Sequence, residues 1–175
     1  MAVNSRQGRT LIDNVPVMEK VAEIGIWKGH TVRYMLRNTG DKIKEYWAID
    51  PWTLFPPGHG RVTLKTMDDW NGMYKRLCLD MVRFHPVLKV MRLTSDQAAP
   101  LFPNHYFDLV FIDAMHDYEN VKKDINLWLP KVKPGGVLSG HDYGVRKQPG
   151  VKIAVDELFT DIQTDTFSTV WMTTV

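Results

Sequence analysis

Two short stretches of this chain gather side chains that can hold a metal ion or move a proton. Asp113-Ala-Met-His116 closes one apolar run, and Gly140-His141-Asp142-Tyr143 closes another. Carboxylate and imidazole donors brought together could hold a divalent cation, Mg²⁺ or Mn²⁺, which lowers the pKa of a hydroxyl in contact with it. Asp113, His141 and Asp142 are the candidate ligands. A histidine among them suits Mg²⁺ less well and favours a softer ion. His116, His141 and Asp113 are the candidate catalytic groups, with either imidazole able to serve as a general base. Plainer roles compete, since Asp113 could cap the following helix and His141 could simply pair with Asp142. Tyr118 and Tyr143 could wall a pocket or pack against strand ends, while His59 and His105 fall in loop-like stretches and read as solvated.

A second group has the spacing of a nucleotide site. Glu23-x-Gly25-x-x-x-Gly29 follows a short apolar run, and Asp50 ends the next such run about 25 residues after Gly25. Glycines at such a turn let backbone approach a ligand closely, and a carboxylate at the end of the next strand can accept hydrogen bonds from both ribose hydroxyls. A dinucleotide fingerprint needs glycine two positions after Gly25, where Trp27 stands instead. Trp27 and the G-x-x-x-G spacing therefore argue against an NAD-linked oxidoreductase, which becomes the rival reading.

These groups are useful only if the fold aligns them. Val21–Trp27, Glu45–Asp50, Val87–Leu93, Phe107–Asp113 and the Val137-Leu138 stretch read as strands. Between them, helical spacing recurs from Thr31, over Trp70–Phe84, briefly from Ser95, and over Val121–Leu129, with a last helix around Val151–Leu158. Lys133-Pro134-Gly135-Gly136 reads as the turn before the fifth strand, and Thr164–Val175 as one or two closing strands. The alternation predicts a Rossmann-like, doubly wound, mainly parallel sheet in a three-layer α/β/α arrangement. Residues 1–20 read as a flexible N-terminal lead-in and 21–175 as the domain. The Trp52–Met67 stretch has the profile of a lid, and ligands of such sheets sit beyond the carboxyl ends of the strands.

The second half carries a more specific pattern. Phe107–Asp113, then His116-Asp-Tyr118-Glu119, Leu127-Trp-Leu-Pro130, the KPGG stretch and Gly140-His-Asp-Tyr143 resemble a subgroup of class I S-adenosylmethionine-dependent methyltransferases. That subgroup, methyltransferase 24-like, carries IDxxHxYE and GHDY motifs and is more distantly similar to cephalosporin hydroxylase-like and macrolide-sugar O-methyltransferases. The match runs over about residues 21–160, with Ala114 and Met115 standing where the subgroup has glycine and a polar residue. The resemblance implies S-adenosyl-L-methionine as cofactor. Glu23, Gly25 and Gly29 would line its methionine end, Asp50 its ribose with Pro51 and Trp52 flanking the adenosine, and Ser95 and Asp96 its adenine edge. Ser95-Asp96 could equally be a plain helix start. Asp113 would lie beside the methyl group. Metal-dependent relatives use an acid after the fourth strand and an acidic pair after the fifth. Asp113 and Asp142 match that pattern, and His141 replaces the other acid. The implied reaction is O-methylation of a small polar acceptor, a sugar or hydroxylated metabolite. A catalytically inactive S-adenosylmethionine-binding module is the rival of a different class.

Composition agrees with an ordinary globule, with 44% hydrophobic residues, 24% charged and a net charge of +2. Lys and Arg are scattered, which gives no footprint for nucleic acid or an anionic membrane. The only cysteine, Cys78, has no partner for an intrachain disulfide. With no apolar segment of spanning length and no signal core, a cytoplasmic protein is expected. The length of 175 residues leaves little room for a separate acceptor domain, so a homodimer mate is one way to complete the pocket.

Overall fold

In a computed structural model, which describes residues 5–54 and 66–175, the alternation becomes one seven-stranded sheet in the order β3-β2-β1-β4-β5-β7-β6. The strands are β1 (Lys20–Ile24), β2 (Glu45–Ile49), β3 (Leu88–Met91), β4 (Phe107–Ile112), β5 (Val132–Gly140), β6 (Gln163–Asp165) and β7 (Val170–Thr174). The first five run parallel, and β7 pairs antiparallel with both β5 and β6. The helices are α1 (Arg6–Asn14), α2 (His30–Asn38), α3 (Met67–Met81), α4 (Ser95–Ala98), α5 (Tyr118–Trp128) and α6 (Pro149–Leu158).

Every strand but the edge strand β6 shares its side chains between two cores, because successive side chains point to opposite faces. Leu109 and Phe111 of β4 join Leu11, Val32, Met35 and Leu77 from α1, α2 and α3 on one face. Val110 and Ile112 join Val121, Ile125, Trp128 and Val155 from α5 and α6 on the other. Covered on both sides, β4 is buried along its whole length, which is why its sequence is a nearly unbroken apolar run. No helix among the described residues is long and apolar enough to cross a membrane.

Two expectations need correction. Residues 6–14 form a helix rather than a flexible tail. Ser5 caps α1 by accepting from Gly8 N at 3.0 Å, and Thr10 Oγ1 donates to Asp165 Oδ2 at 2.7 Å, tying α1 to β6. Its only apolar side chains, Leu11 and Ile12, are adjacent, so α1 leaves little hydrophobic periodicity to read although Leu11 is in the core. The Lys133–Gly136 stretch lies inside β5, at an irregularity in its pairing with β4 between Phe107 and Leu109. Gly135 N donates to Val175 O and Val175 N to Gly136 O, so the far neighbour keeps the ladder going where the sequence reads as a turn. The expected lid and His59 fall mainly within 55–65, outside the described residues.

Candidate active site

The carboxyl ends of β2, β1, β4 and β5 are laced together one residue beyond the regular ladder. Gly25 N donates to Ile49 O (2.9 Å), Asp113 N to Ile24 O (2.8 Å) and His141 N to Ile112 O (3.0 Å). This fixes the first residue after each strand relative to its neighbours. A Cβ on Gly25, whose φ is +89°, would stand 2.2 Å from Asp113 O. Glycine is therefore required there for the β1 and β4 exits to meet, before any ligand is considered.

Four side chains converge where β4 and β5 end. His116 Nε2 lies 2.9 Å from Asp142 Oδ2 and 3.6 Å from Asp113 Oδ1, and His141 Nδ1 lies 3.3 and 3.5 Å from the same two atoms. One donor atom each from Asp113, His141 and Asp142 falls within a sphere of mutual separations no larger than 4.8 Å. Among the described residues, buried His116 Nε2 has no well-aligned hydrogen-bond acceptor despite its closeness to Asp142 Oδ2. Beside it is a hollow of about 10 Å³ lined in part by Asp113, His116, His141, Val151 and Trp171. Asp142 (φ 60°) and the β-branched Thr169 (φ 57°) both hold left-handed backbone conformations, and Thr169 Oγ1 meets His141 Nε2 at 3.2 Å. Non-glycine residues in that region are uncommon, and they gather at sites the surroundings over-determine.

The electrostatics follow from two carboxylates facing two imidazoles. Burial alone would lower both imidazole pKa values, but Asp113 and Asp142 override it and push His116 up to about 9 and His141 to about 10. Burial would likewise raise the two acids, yet the imidazoles hold both below the usual carboxylate range.

The other expected site residues are placed as follows. Glu23 is buried, accepts from Tyr46 Oη at 2.5 Å, and is raised to about 8 chiefly by desolvation. The Asp50 carboxylate accepts from Ile26 N, Trp27 N and Trp52 N at 2.9, 2.9 and 2.6 Å, pinning the turn after β1 to the end of β2. Its pKa is raised by burial, with those three amides opposing. Trp52 is fully buried, donates to Trp27 O and packs on Tyr74, while Pro51 O accepts from Arg92. Gly29, with φ +71°, caps α2. Ser95 Oγ accepts from Trp128 Nε1 at 2.8 Å, Asp96 pairs with Lys123 at 3.1 Å, and Thr94 rather than Ser95 caps α4. Both tyrosine hydroxyls turn to α6, Tyr118 to Glu157 and Tyr143 to Asp156. His105 lies at the opposite end of the sheet, against Val132 O. A larger open groove of about 530 Å³, between the start of α2 and α3, is lined by Lys28, His30, Arg33 and Arg76 among others and contains none of the four clustered residues.

Sequence reasoning did not find Thr169, Tyr46 or Gln148. Oriented so that each end meets a complementary group, the Gln148 amide donates to both Asp142 oxygens at 2.9 and 3.0 Å and accepts from His116 Nδ1 at 3.1 Å. A glutamine before Pro-Gly signals only a helix start, and Thr169 lies in a threonine-rich tail with no pattern of its own.

Comparison with known proteins places these residues in context. A family model described as a methyltransferase domain matches residues 22–143. The uncharacterized protein R132 of Acanthamoeba polyphaga mimivirus is 30% identical over 156 residues, 83% of this chain and 62% of R132. The chain thus spans less than two thirds of that relative's length. Among solved structures, CalS11, a TDP-rhamnose 3'-O-methyltransferase of calicheamicin biosynthesis, aligns with a TM-score of 0.68 at 15% identity over 96% of this chain and 77% of its own. The O-methyltransferase NovP aligns with a TM-score of 0.67 at 18% identity, covering 95% and 75%. At these identities the two structures share the fold with this chain.

Proposed function

The chain belongs to the methyltransferase-domain family, and we propose that it transfers a methyl group from S-adenosylmethionine to a hydroxyl of a small polar acceptor, with a divalent cation assisting. The observation that carries this reading is the cluster of Asp113, His116, His141 and Asp142 at the carboxyl ends of β4 and β5. The donor set fits a cation, since one ligand atom each from Asp113, His141 and Asp142 lies within 4.8 Å of the others beside a small hollow. A nitrogen ligand in the set, His141, favours an ion such as Mn²⁺ over Mg²⁺.

Bound there, a cation would lower the pKa of an acceptor hydroxyl, and S-adenosylmethionine brings a methyl group already activated on its sulfonium. The protein's share is alignment and removal of a proton. Asp50 holds the β1 turn rigid and keeps one lone pair of Oδ1 for a ribose hydroxyl. Glu23, with a pKa near 8, is mostly neutral at pH 7 and braces β1 against β2. With pKa values near 9 and 10, His116 and His141 keep their protons at neutral pH and cannot act as bases unless those protons are displaced. A second copy of the chain completing the acceptor side is part of the same proposal.

The test is transfer of a tritiated methyl group to a panel of hydroxylated sugars and catechols, with Mn²⁺ or with chelator. Transfer should require the ion, need more of it as pH falls and protons compete, and drop by roughly 10²-fold or more in Asp113→Asn. Transfer indifferent to chelation would remove the cation from the proposal. Silence across the panel while S-adenosylhomocysteine still binds would support a binding module instead.

A further inference from the structure

Resting on that reading, we infer that Gln148 is a positioning residue for the Asp/His centre, setting which nitrogen of His116 and which orientation of the Asp142 carboxylate the cation meets. Three observations carry it. The first is the double engagement of one amide, whose NH₂ donates to both oxygens of Asp142 while its carbonyl accepts from His116 Nδ1. The carbonyl end is satisfied only by an Nδ1–H, while the NH₂ end holds the Asp142 carboxyl by both oxygens. With Nδ1 held protonated by Gln148, the proton that a cation would displace from His116 is the one on Nε2, the nitrogen that faces Asp113 and Asp142.

The second observation is that the chain is built to bring Gln148 there. It is the residue before α6, Pro149 occupies the first turn, and a Cβ on Gly150 would meet Tyr118 N at 2.5 Å and His116 O at 2.7 Å. Only glycine lets the start of α6 sit directly on the backbone that carries His116. The third is symmetry of treatment: Thr169 Oγ1 already donates to Ser168 O, so towards His141 Nε2 it accepts, and Nδ1 of His141 is left facing the carboxylates. Both imidazoles are thus held from behind, one by Gln148 and one by Thr169, with their other nitrogens turned inward.

The test measures Mn²⁺ affinity from the free-ion paramagnetic resonance signal for wild type, Gln148→Leu and the less disruptive Gln148→Met. S-adenosylhomocysteine affinity in chelator and the thermal midpoint are measured alongside. Loss of an outer partner of a ligating histidine weakens metal binding by roughly 10–100-fold. The expected result is that loss for Mn²⁺ in both variants, with homocysteine-product affinity and midpoint unchanged. An unchanged Mn²⁺ affinity in Gln148→Met would overturn the inference. So would parallel losses of Mn²⁺ affinity, product affinity and midpoint, which would make Gln148 a merely structural residue. If the wild type itself binds no Mn²⁺, the cation reading of the site fails first and the role of Gln148 falls with it.

Discussion

Glu23 shows at the scale of one residue how a motif position is shaped by burial. Its carboxyl lies between strands with Tyr46 Oη against it, and desolvation raises its pKa from 4.5 to about 8. The folded state therefore binds a proton that the unfolded chain releases between those values. The stability this group contributes is complete below about pH 4.5 and is lost as pH rises through 8. Glu23→Gln keeps an acceptor for Tyr46 and removes the titration. Its unfolding free energy from urea titration should stand closest to wild type near pH 5, gain on it up to about pH 8 by at most about 1.4 kcal/mol for each pH unit, and keep a constant lead above that. A difference that stays constant with pH would mean that Glu23 is ionised throughout. The four clustered side chains were legible from sequence because each stands at or just beyond a strand end, where chemistry concentrates in such sheets. Gln148 was not legible, because its contacts depend on how α6 approaches β4, which no spacing encodes.

At the scale of elements, the fit of α6 onto the loop after β4 organises the centre. Gly150→Ala would drive a methyl group into the backbone at Tyr118 N and His116 O, neither of which is the end of a flexible side chain. Overpacking of this kind costs about 1–3 kcal/mol, and the displacement of Gln148 should weaken Mn²⁺ binding in the same variant. Denaturant unfolding and ion titration check both halves; an unaltered urea midpoint would show that α6 can shift without strain. Elements with strong periodicity were readable, β4 from its apolar run and α3 from Trp70, Leu77 and Met81. The failures have physical causes. Helix α1 has two adjacent apolar residues and is fixed by Leu11 in the core together with the Ser5 cap and Thr10, and the Pro-Gly-Gly irregularity of β5 survives because β7 supplies the missing partners. Trp52 reads as a residue flanking a ligand, yet its indole is buried against Tyr74.

For the whole molecule, the order β3-β2-β1-β4-β5 puts a topological switch between β1 and β4, and the glycine turn, Asp50 and the Asp/His cluster all lie at that carboxyl edge. Among the described residues, four of the five non-glycine residues with positive φ, Trp27, Trp52, Asp142 and Thr169, follow or precede strands at the same edge. Structure that is strained, charged and laced together at one end of a regular sheet is what a preorganised donor and acceptor site requires. The most direct test is calorimetric titration of the intact chain with S-adenosylhomocysteine, run beside NAD⁺. The account predicts saturable one-site binding of S-adenosylhomocysteine, weakened in Asp50→Ala, and none of NAD⁺. No heat with S-adenosylhomocysteine and a clear isotherm with NAD⁺ would contradict it, and the cluster would then have to be explained as part of a dehydrogenase.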